Sequence, residues 1–403
     1  IKNDGIIVKF IEKMTKMSSN IIMKKRYIPR TLNLKNLVAK KSHILLGPRQ
    51  TGKSALLREQ FPNAKKYNLL LKEDFRRLSF DPTILRKEIS KSDSVVLIDE
   101  FQRLPDLLDE VQYLIEEYGT HFLLTGSSAR KLKSQNINLL GGRARFLYLH
   151  PFTFQELGKD FSLERALNFG LIPGIYFSEE PELDLNAYVT TYIEQEIARE
   201  GLVRNLTTFT RFLEVAALCH AEQIDFTSIS NDTQIPRTTI HEYFKILEDT
   251  LIGYRLPVWG ETKKRKPIAT PKFYFFDWSI PKHLQEIKQV SPKSEIYGKA
   301  FESYMFHELK TYCDYHNVKD LHYWRTSQKD EVDFIFDNRV AIEVKGSQIF
   351  KPDYVRSLAK LREENLLEKY FVVYLGKNLN LPEYPWLKVM HYQSFLELLY
   401  KGL

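Results

Sequence analysis

The chain has 403 residues, 43% of them hydrophobic and 27% charged, a balance that excludes a disordered or fibrous chain and gives room for about two to four cored domains. Lys and Arg number 59 against 51 Asp and Glu, a net charge of +8 that leans modestly toward a polyanionic partner. Two cysteines, Cys219 and Cys313, exclude a disulfide framework and point to a reducing cytoplasm, and no apolar run approaches the ~18 residues of a membrane-crossing helix.

The segment before Met23 is amphipathic, charged throughout and without a signal-like apolar core. Met23 opens Met-Lys-Lys-Arg and reads as a natural start, so residues 1–27 form an N-terminal extension whose first 22 residues need not be native. Across 43–150, apolar runs ending in small polar residues recur at 43–47, 67–71, 94–99, 121–127 and 145–150, with helical stretches at 54–60 and 106–118 between them. Strand alternating with helix predicts a parallel sheet covered on both faces. Pro151 closes the last strand. Residues 185–218 have helical period, with Tyr188, Tyr192, Ile193 and Ile197 on one face. Residues 227–250 read as a short helix, a turn at Ile235-Pro236 and a second amphipathic helix, with a strand after them at 253–259. Lys263-Lys264-Arg265-Lys266-Pro267 is an exposed basic loop. A second strand-rich unit opens at 272–276, with a helix at 302–310, strands at 332–336 and 340–345, a helix near 354–363 and a strand at 371–374.

Gly47-Pro48-Arg49-Gln50-Thr51-Gly52-Lys53-Ser54, followed by Ala55, fits G-x-x-x-x-G-K-[ST] between an apolar strand and an amphipathic helix. The glycines let backbone N–H groups turn toward phosphates. Lys53 supplies a charge at the β- and γ-phosphates, the Ser54 hydroxyl can ligate Mg²⁺, and the helix N-terminus adds a positive field. Ser94-Val95-Val96-Leu97-Ile98-Asp99-Glu100 is a buried strand ending in two carboxylates, where α/β sheets place ligands. Asp99 would hold Mg²⁺, and Glu100 would polarise the attacking water. Ser127, in Thr125-Gly126-Ser127-Ser128, is a candidate to sense the γ-phosphate, with Thr125 and Ser128 next in line. Arg143, in Gly141-Gly142-Arg143, is a candidate arginine finger in cis or from a neighbouring copy, which would imply a homo-oligomer.

On these residues the chain resembles the AAA-type P-loop ATPases, and within them a group of prokaryotic proteins in which the ATPase domain precedes a winged helix and a nuclease-like domain. The resemblance is carried by 47–54, 97–103 with its Asp-Glu-Phe-Gln-Arg, 125–128, 149–157 with its Pro-Phe-Thr-Phe-Gln-Glu-Leu, 274–277 and 331–345. It implies an α/β chain: an ATPase domain over 28–157, a helical lid and winged helix-turn-helix over 158–260, a basic linker at 261–271 and a restriction-endonuclease-like domain over 272–403.

Asp333 and Glu343 stand ten residues apart, and Lys345 two beyond Glu343. Side chains alternate along strands, so Glu343 and Lys345 share a face and a neighbouring strand can bring Asp333 beside them. Two carboxylates can bind Mg²⁺ or Mn²⁺, and a lysine beside them can orient the attacking water. The pattern looks like the PD-(D/E)XK nuclease constellation, with Val in place of the Pro. Glu302 and Glu308 are upstream candidates for a further metal ligand, Glu302 matching the family pattern better. In the helix-turn-helix, Arg237, Thr238, Thr239, His241 and Lys245 suit base or phosphate contact, and Lys263, Lys264, Arg265 and Lys266 suit phosphates in a wing-like loop. The combined expectation is an ATP-hydrolysing protein acting on nucleic acid, DNA above RNA, with a metal-dependent nuclease gated by ATP. The alternative is a regulatory ATPase whose C-terminal domain only binds nucleic acid or a protein partner.

Overall fold

The computed structural model describes residues 27–128, 139–193, 197, 205–262 and 270–403. The first unit begins with α1 (Leu34–Val38), whose cap Asn33 accepts the Asn36 N–H, a bond that satisfies one of the orphan donors of a helix start. It continues through β1 (Ser42–Leu46), α2 (Lys53–Gln60), β2 (Lys65–Asn68), α3 (Lys72–Phe80), α4 (Ile84–Glu88), β3 (Val95–Asp99), α5 (Leu107–Tyr118), β4 (His121–Gly126) and β5 (Ala144–Tyr148). The strands form one sheet in the order β2-β3-β4-β1-β5, every pairing parallel. Ile44, Leu46, Val96, Ile98, Phe122 and Leu124 face one core, while Leu45, Leu97 and Leu123 face another. This is the two-faced burial that nearly continuous apolar strands require. The second strand begins and ends earlier than 67–71: Leu70 and Leu71 are about half exposed and turn the chain into α3, a helix that the sequence reading left out.

The long helix expected over 185–218 is interrupted. The helices α6 (Phe154–Leu157), α7 (Leu163–Phe169), α8 (Pro173–Tyr176) and α9 (Pro181–Ala187) lead into a π-helical turn at Tyr188–Ile193. A new helix, α10 (Leu206–Leu218), starts at an Asn205 cap. Tyr188 and Ile197 are buried in one core, as their spacing predicts; the side chains of Tyr192 and Ile193 lie outside the described residues. β6 (Glu222–Gln223), α11 (Phe226–Thr233), α12 (Arg237–Asp249), β7 (Gly253–Leu256) and β8 (Lys272–Phe275) follow, giving the expected helix-turn-helix beside a three-stranded antiparallel sheet ordered β6-β8-β7. β8 therefore does not open the C-terminal unit. It pairs with β6 and β7, and α13 (Ser279–Leu284) packs with it through Ile280. The strand is a seam: Phe273 and Phe275 point into the middle core, and Tyr274 into the C-terminal core.

The C-terminal unit starts at α14 (Ile296–His316), twice the length expected for that helix. β9 (Leu321–Arg325), β10 (Glu331–Phe336), β11 (Val340–Lys345), α15 (Arg356–Arg362), β12 (Lys369–Tyr374), β13 (Leu387–His391) and α16 (Tyr392–Tyr400) complete it. The sheet order is β13-β12-β11-β10-β9. β9, β10 and β11 pair antiparallel, and β11, β12 and β13 parallel. α14 and α16 cover one face with Phe334, Ile342 and Phe371; α15 covers the other with Ile335, Ala341 and Val372. The β7–β8 connection is tethered to this sheet: the Trp259 N–H donates to the Tyr323 carbonyl at 2.7 Å, and the Tyr323 N–H to the Pro257 carbonyl at 3.0 Å.

Candidate nucleotide site and acidic cluster

The glycine-rich turn joins β1 to α2 at the C-terminal edge of the parallel sheet. Gly52 stands at φ 97°, a conformation that favours glycine, and a side chain at Gly47 would run into the Leu149 carbonyl. Lys53 is buried, and its Nζ donates to the Gly47 and Pro48 carbonyls at 2.6 and 3.0 Å. Thr51 ties the turn to the Pro48 carbonyl at 2.8 Å. Gln50 is left-handed at φ 60°, and the Tyr188 hydroxyl donates to the Arg49 carbonyl at 3.2 Å. Ser54 and Ala55 open α2.

β4 lies between β1 and β3, so the end of β3 faces the turn from one strand away. Asp99 is 2% exposed. Its two oxygens accept from Ser54 Oγ at 3.0 Å and Thr125 Oγ1 at 2.5 Å, and Lys66 Nζ is 3.4 Å away. Glu100 is left-handed at φ 59°. Gln102 Nε2 donates to Glu100 Oε2 at 2.7 Å and to Ser127 Oγ at 3.0 Å, so one amide links two of the residues picked out from sequence. A side chain at Gly126 would meet the Gln102 amide oxygen at 2.7 Å. The hydroxyl and carboxylate oxygens of Ser54 and Asp99 are hard donors of the kind Mg²⁺ takes, and they already converge.

Three features of this site escaped sequence reasoning. Thr125 holds Asp99 rather than standing toward a phosphate, and Gln102 bridges Glu100 and Ser127. Arg30 is the third: its Nη1 donates to the Thr51 carbonyl at 2.7 Å, and its Nη2 to the His150 carbonyl at 2.6 Å and the Tyr315 hydroxyl at 3.3 Å. Its Nε lies 2.9 Å from Glu156. Ser128, expected near the phosphate, donates to the Asp249 carbonyl at 3.4 Å instead. Arg143 is a correction. Ala144 pairs with Ser42, so Arg143 lies at the start of its strand, level with residue 41 and roughly 20 Å from the turn at ~3.3 Å per residue. It pairs with Glu116 at 2.6 Å and cannot reach the phosphate turn of its own chain.

The second constellation also assembles. Phe334 pairs with Ile342, and continuing that register sets Asp333 opposite Glu343. The β9–β10 pairing shifts register between Val332 and Ile335, with Asp333 inside the shift, the kind of irregularity that re-aims a side chain. Asp333 Oδ2 accepts the Val344 N–H at 2.7 Å. Lys345 Nζ is 2.5 Å from Glu343 and 3.7 Å from Asp333. Glu302, from α14, joins them through groups not foreseen. Lys272 Nζ lies 3.1 Å from Glu302 and 2.6 Å from Glu331, and the Tyr274 hydroxyl donates to Glu302 at 2.6 Å. The signal was in the sequence, since Lys272 and Tyr274 are two apart on one strand face. Which helix that face meets was not.

The electrostatics are those of a buried, shared charge. Burial pushes the Glu343 carboxyl up to about 8, aided by Asp333 and opposed by Lys345. Burial also raises Glu302, against the pull of Lys272. Burial works against the charge on Lys272, yet Glu302, Tyr274, Glu331 and Asp333 hold its ammonium well above the ordinary lysine value. Glu343 Oε2 is buried without a hydrogen-bond partner. Among the described residues no three His, Cys, Asp or Glu side chains are grouped to hold a metal ion. As it stands, then, the cluster does not fit the metal that the sequence reading gave it; ammonium groups occupy its carboxylates. Glu308, the other candidate ligand, is engaged elsewhere. It is fully buried, accepts the Phe154 N–H at 2.7 Å and the Tyr400 hydroxyl at 2.5 Å, and anchors α14 to α6.

On the helix-turn-helix, Arg237, Thr238, His241 and Lys245 are exposed and Thr239 half-buried. His241 stacks on Phe226 at 3.6 Å between ring centres. Lys263, Lys264, Arg265 and Lys266 lie outside the described residues. No helix among the described residues is long and apolar enough to cross a membrane.

Residues 39–158 match the family described as AAA domain, residues 160–291 a domain of unknown function (DUF8612), and residues 297–392 another (DUF4143). An uncharacterized protein of Mycobacterium tuberculosis is 25% identical over 346 residues, spanning 83% of this chain and 76% of its own. One of Haemophilus influenzae is 22% identical over 328 residues, spanning 73% and 80%. Among solved structures, the Walker-type ATPase PABY2304 of Pyrococcus abyssi aligns at TM-score 0.44 and 16% identity, over 65% of this chain and all of that one. The sequence match, the strand order and the Lys53–Ser54–Asp99 arrangement agree: residues 39–158 are an AAA-type P-loop ATPase domain.

Proposed function

We propose that the protein is an ATP-hydrolysing switch acting on DNA, whose C-terminal domain has the PD-(D/E)XK nuclease fold. One observation carries the ATPase reading. Ser54 and Asp99 meet at the phosphate turn while Glu100 is held one residue further on. In this reading residues 47–55 wrap the phosphates, and Lys53 exchanges its two carbonyl partners for phosphate oxygens. Ser54 and Asp99 would hold Mg²⁺, which would offset the charge on the phosphates. Glu100 accepts a proton from the attacking water, and Ser127 stands beside the γ-phosphate. Gln102 ties Glu100 to Ser127 until nucleotide separates them. Arg143 serves only a neighbouring copy, so a finger role requires an oligomer.

The order helix–β6–helix-turn-helix–β7–loop–β8 supports a winged helix, with Lys263 to Lys266 on its wing. Arg237, Thr238, Thr239, His241 and Lys245 would contact DNA. The residues on either side of that wing segment, Trp259 and Thr270, both bond to Tyr323 of β9. The nuclease reading is supported by the gathering of Glu302, Asp333, Glu343 and Lys345 on a mixed sheet. A second reading, in which this domain only binds nucleic acid, is favoured by Lys272, whose ammonium already occupies the carboxylates.

The test is cleavage of supercoiled and linear plasmid with Mg²⁺ or Mn²⁺, with and without ATP, by the protein and its Lys53→Ala and Lys345→Ala variants. Cutting that disappears in Lys345→Ala supports the nuclease, and its dependence on Lys53 tells whether ATP gates it. ATP turnover and DNA binding without cutting favour the second reading. A protein that hydrolyses no ATP sinks both.

A further inference from the structure

Lys272 is 3% exposed, and a lysine at such a position is rare unless carboxylates surround it. Alternation along β8 puts it there. Phe273 and Phe275 fill the middle core, so Lys272 and Tyr274 must face α14. Four carboxylates meet at this seam: Glu302, Glu331, Asp333 and Glu343. Two ammonium groups divide them. Lys345 takes Glu343 and lies near Asp333, while Lys272 takes Glu302 and Glu331 and sits 5.4 Å from the centre of the Tyr323 ring. Arg325 holds the second oxygen of Glu331 at 2.8 Å, so Glu331 keeps a cation when Lys272 moves. Glu302 does not; among the described residues its other partner is the neutral Tyr274 hydroxyl. The one carboxylate oxygen of the cluster left buried without a partner belongs to Glu343.

We propose that Lys272 is a tethered competitor for a divalent cation: while its ammonium rests on Glu302 the cluster holds no metal, and Mg²⁺ or Mn²⁺ enters when that ammonium withdraws. The inference rests on the nuclease reading. A dication needs several oxygen ligands at short range, and a fixed ammonium within hydrogen-bonding distance of one of them repels it in a weakly screening interior. Lys272 belongs to the middle sheet, whereas Glu302 and Glu331 belong to the C-terminal unit, so metal entry reports on the seam between the two.

The experiment titrates Mn²⁺ into the nucleotide-free full chain, with free Mn²⁺ followed by electron paramagnetic resonance. The proteins are the parent, Lys272→Met, Lys272→Met with Glu331→Gln, and each of these with Asp333→Asn. The double variant lowers the buried negative charge by one and keeps the test open should Lys272→Met fail to fold. The expected result is Mn²⁺ affinity raised on the order of tenfold or more in the Lys272 variants and abolished by Asp333→Asn. Mn²⁺ should also raise the melting temperature in those variants and not in the parent, since a ligand bound only by the folded state stabilises it. Equal Asp333-dependent affinity in parent and variants overturns the competitor role and leaves the metal centre standing. No Asp333-dependent binding in any of them overturns the metal-nuclease reading along with it.

Discussion

Two groups of largely buried carboxylates stand out in this molecule, one at the end of a parallel strand and one where a helix meets the C-terminal sheet, and their surroundings differ in kind. Asp99 and Glu100 are held by hydroxyls and an amide from Ser54, Thr125 and Gln102, with Lys66 only at 3.4 Å and 28% exposed. Glu302, Glu331, Asp333 and Glu343 are held mainly by ammonium groups, one of them, Lys272, with only 4% of its side chain exposed. Hydroxyls and amides both donate and accept, so they can re-pair when a phosphate-bound cation arrives. A buried ammonium cannot; its removal leaves a charge uncompensated. The first site is poised to load, and the second is already neutralised.

The sharpest way to break that comparison is at the turn. Lys53→Ala should lower ATP turnover by roughly two to three orders of magnitude, as loss of a preorganised charge does, with an unchanged far-ultraviolet circular dichroism spectrum; phosphate release checks it. Next comes a contrast between two lysines. Lys272→Met should lower unfolding free energy by about 3 kcal/mol or more, because it orphans buried carboxylates. Lys66→Met, where the lysine is partly exposed and Asp99 keeps the Ser54 and Thr125 hydroxyls, should change it by less than about 1 kcal/mol; urea unfolding of both decides whether the two surroundings differ as described.

A third test uses pH. Burial pushes the Glu308 carboxyl up to about 7, against the hydrogen bonds from Tyr400 and Phe154 that favour its charged form. Its folded-state value lies above the ordinary 4.5 of the unfolded chain. Its stabilising contribution is therefore full below about 4.5 and is lost as pH rises through about 7. The parent should lose on the order of 1–3 kcal/mol across that window relative to Glu308→Gln, read as diverging melting temperatures. The smallest effect is expected at Gln102→Ala. Freeing Glu100 should raise basal ATP turnover severalfold, by no more than about tenfold if the lost bond is worth what a bond to a charged group usually is. A fall instead would mean that Gln102 positions Glu100 rather than restrains it.

The nucleotide site was legible because its parts are contiguous. Residues 47–54 carry their own backbone geometry, and the apolar run 95–98 announces a buried strand with acids at its end. Arg143 was misread although the sequence held the correction: a residue that precedes a parallel strand stands at the edge opposite the one where ligands collect. Asp333, Glu343 and Lys345 were legible because an antiparallel pair needs only a short turn. Lys272 was not. Its partners Glu302 and Glu331 lie 30 and 59 residues away, and its strand had been given to the wrong sheet. Periodicity says which residues share a face, not which element that face will meet. The interruption at Tyr188–Ile193 was hidden for a related reason, since apolar spacing alone does not separate a π-turn from a continuing helix.

Arg30 has a temporal consequence. Its guanidinium joins the carbonyl of Thr51, the carbonyl of His150 just past β5 and the hydroxyl of Tyr315, the last of these 285 residues along the chain from Arg30. A ribosome adds about 5–20 residues per second, so for many seconds after the phosphate turn has emerged its anchor lacks the group that completes it. The nascent ATPase domain can close its sheet early, but its phosphate turn gains its last support only when α14 arrives.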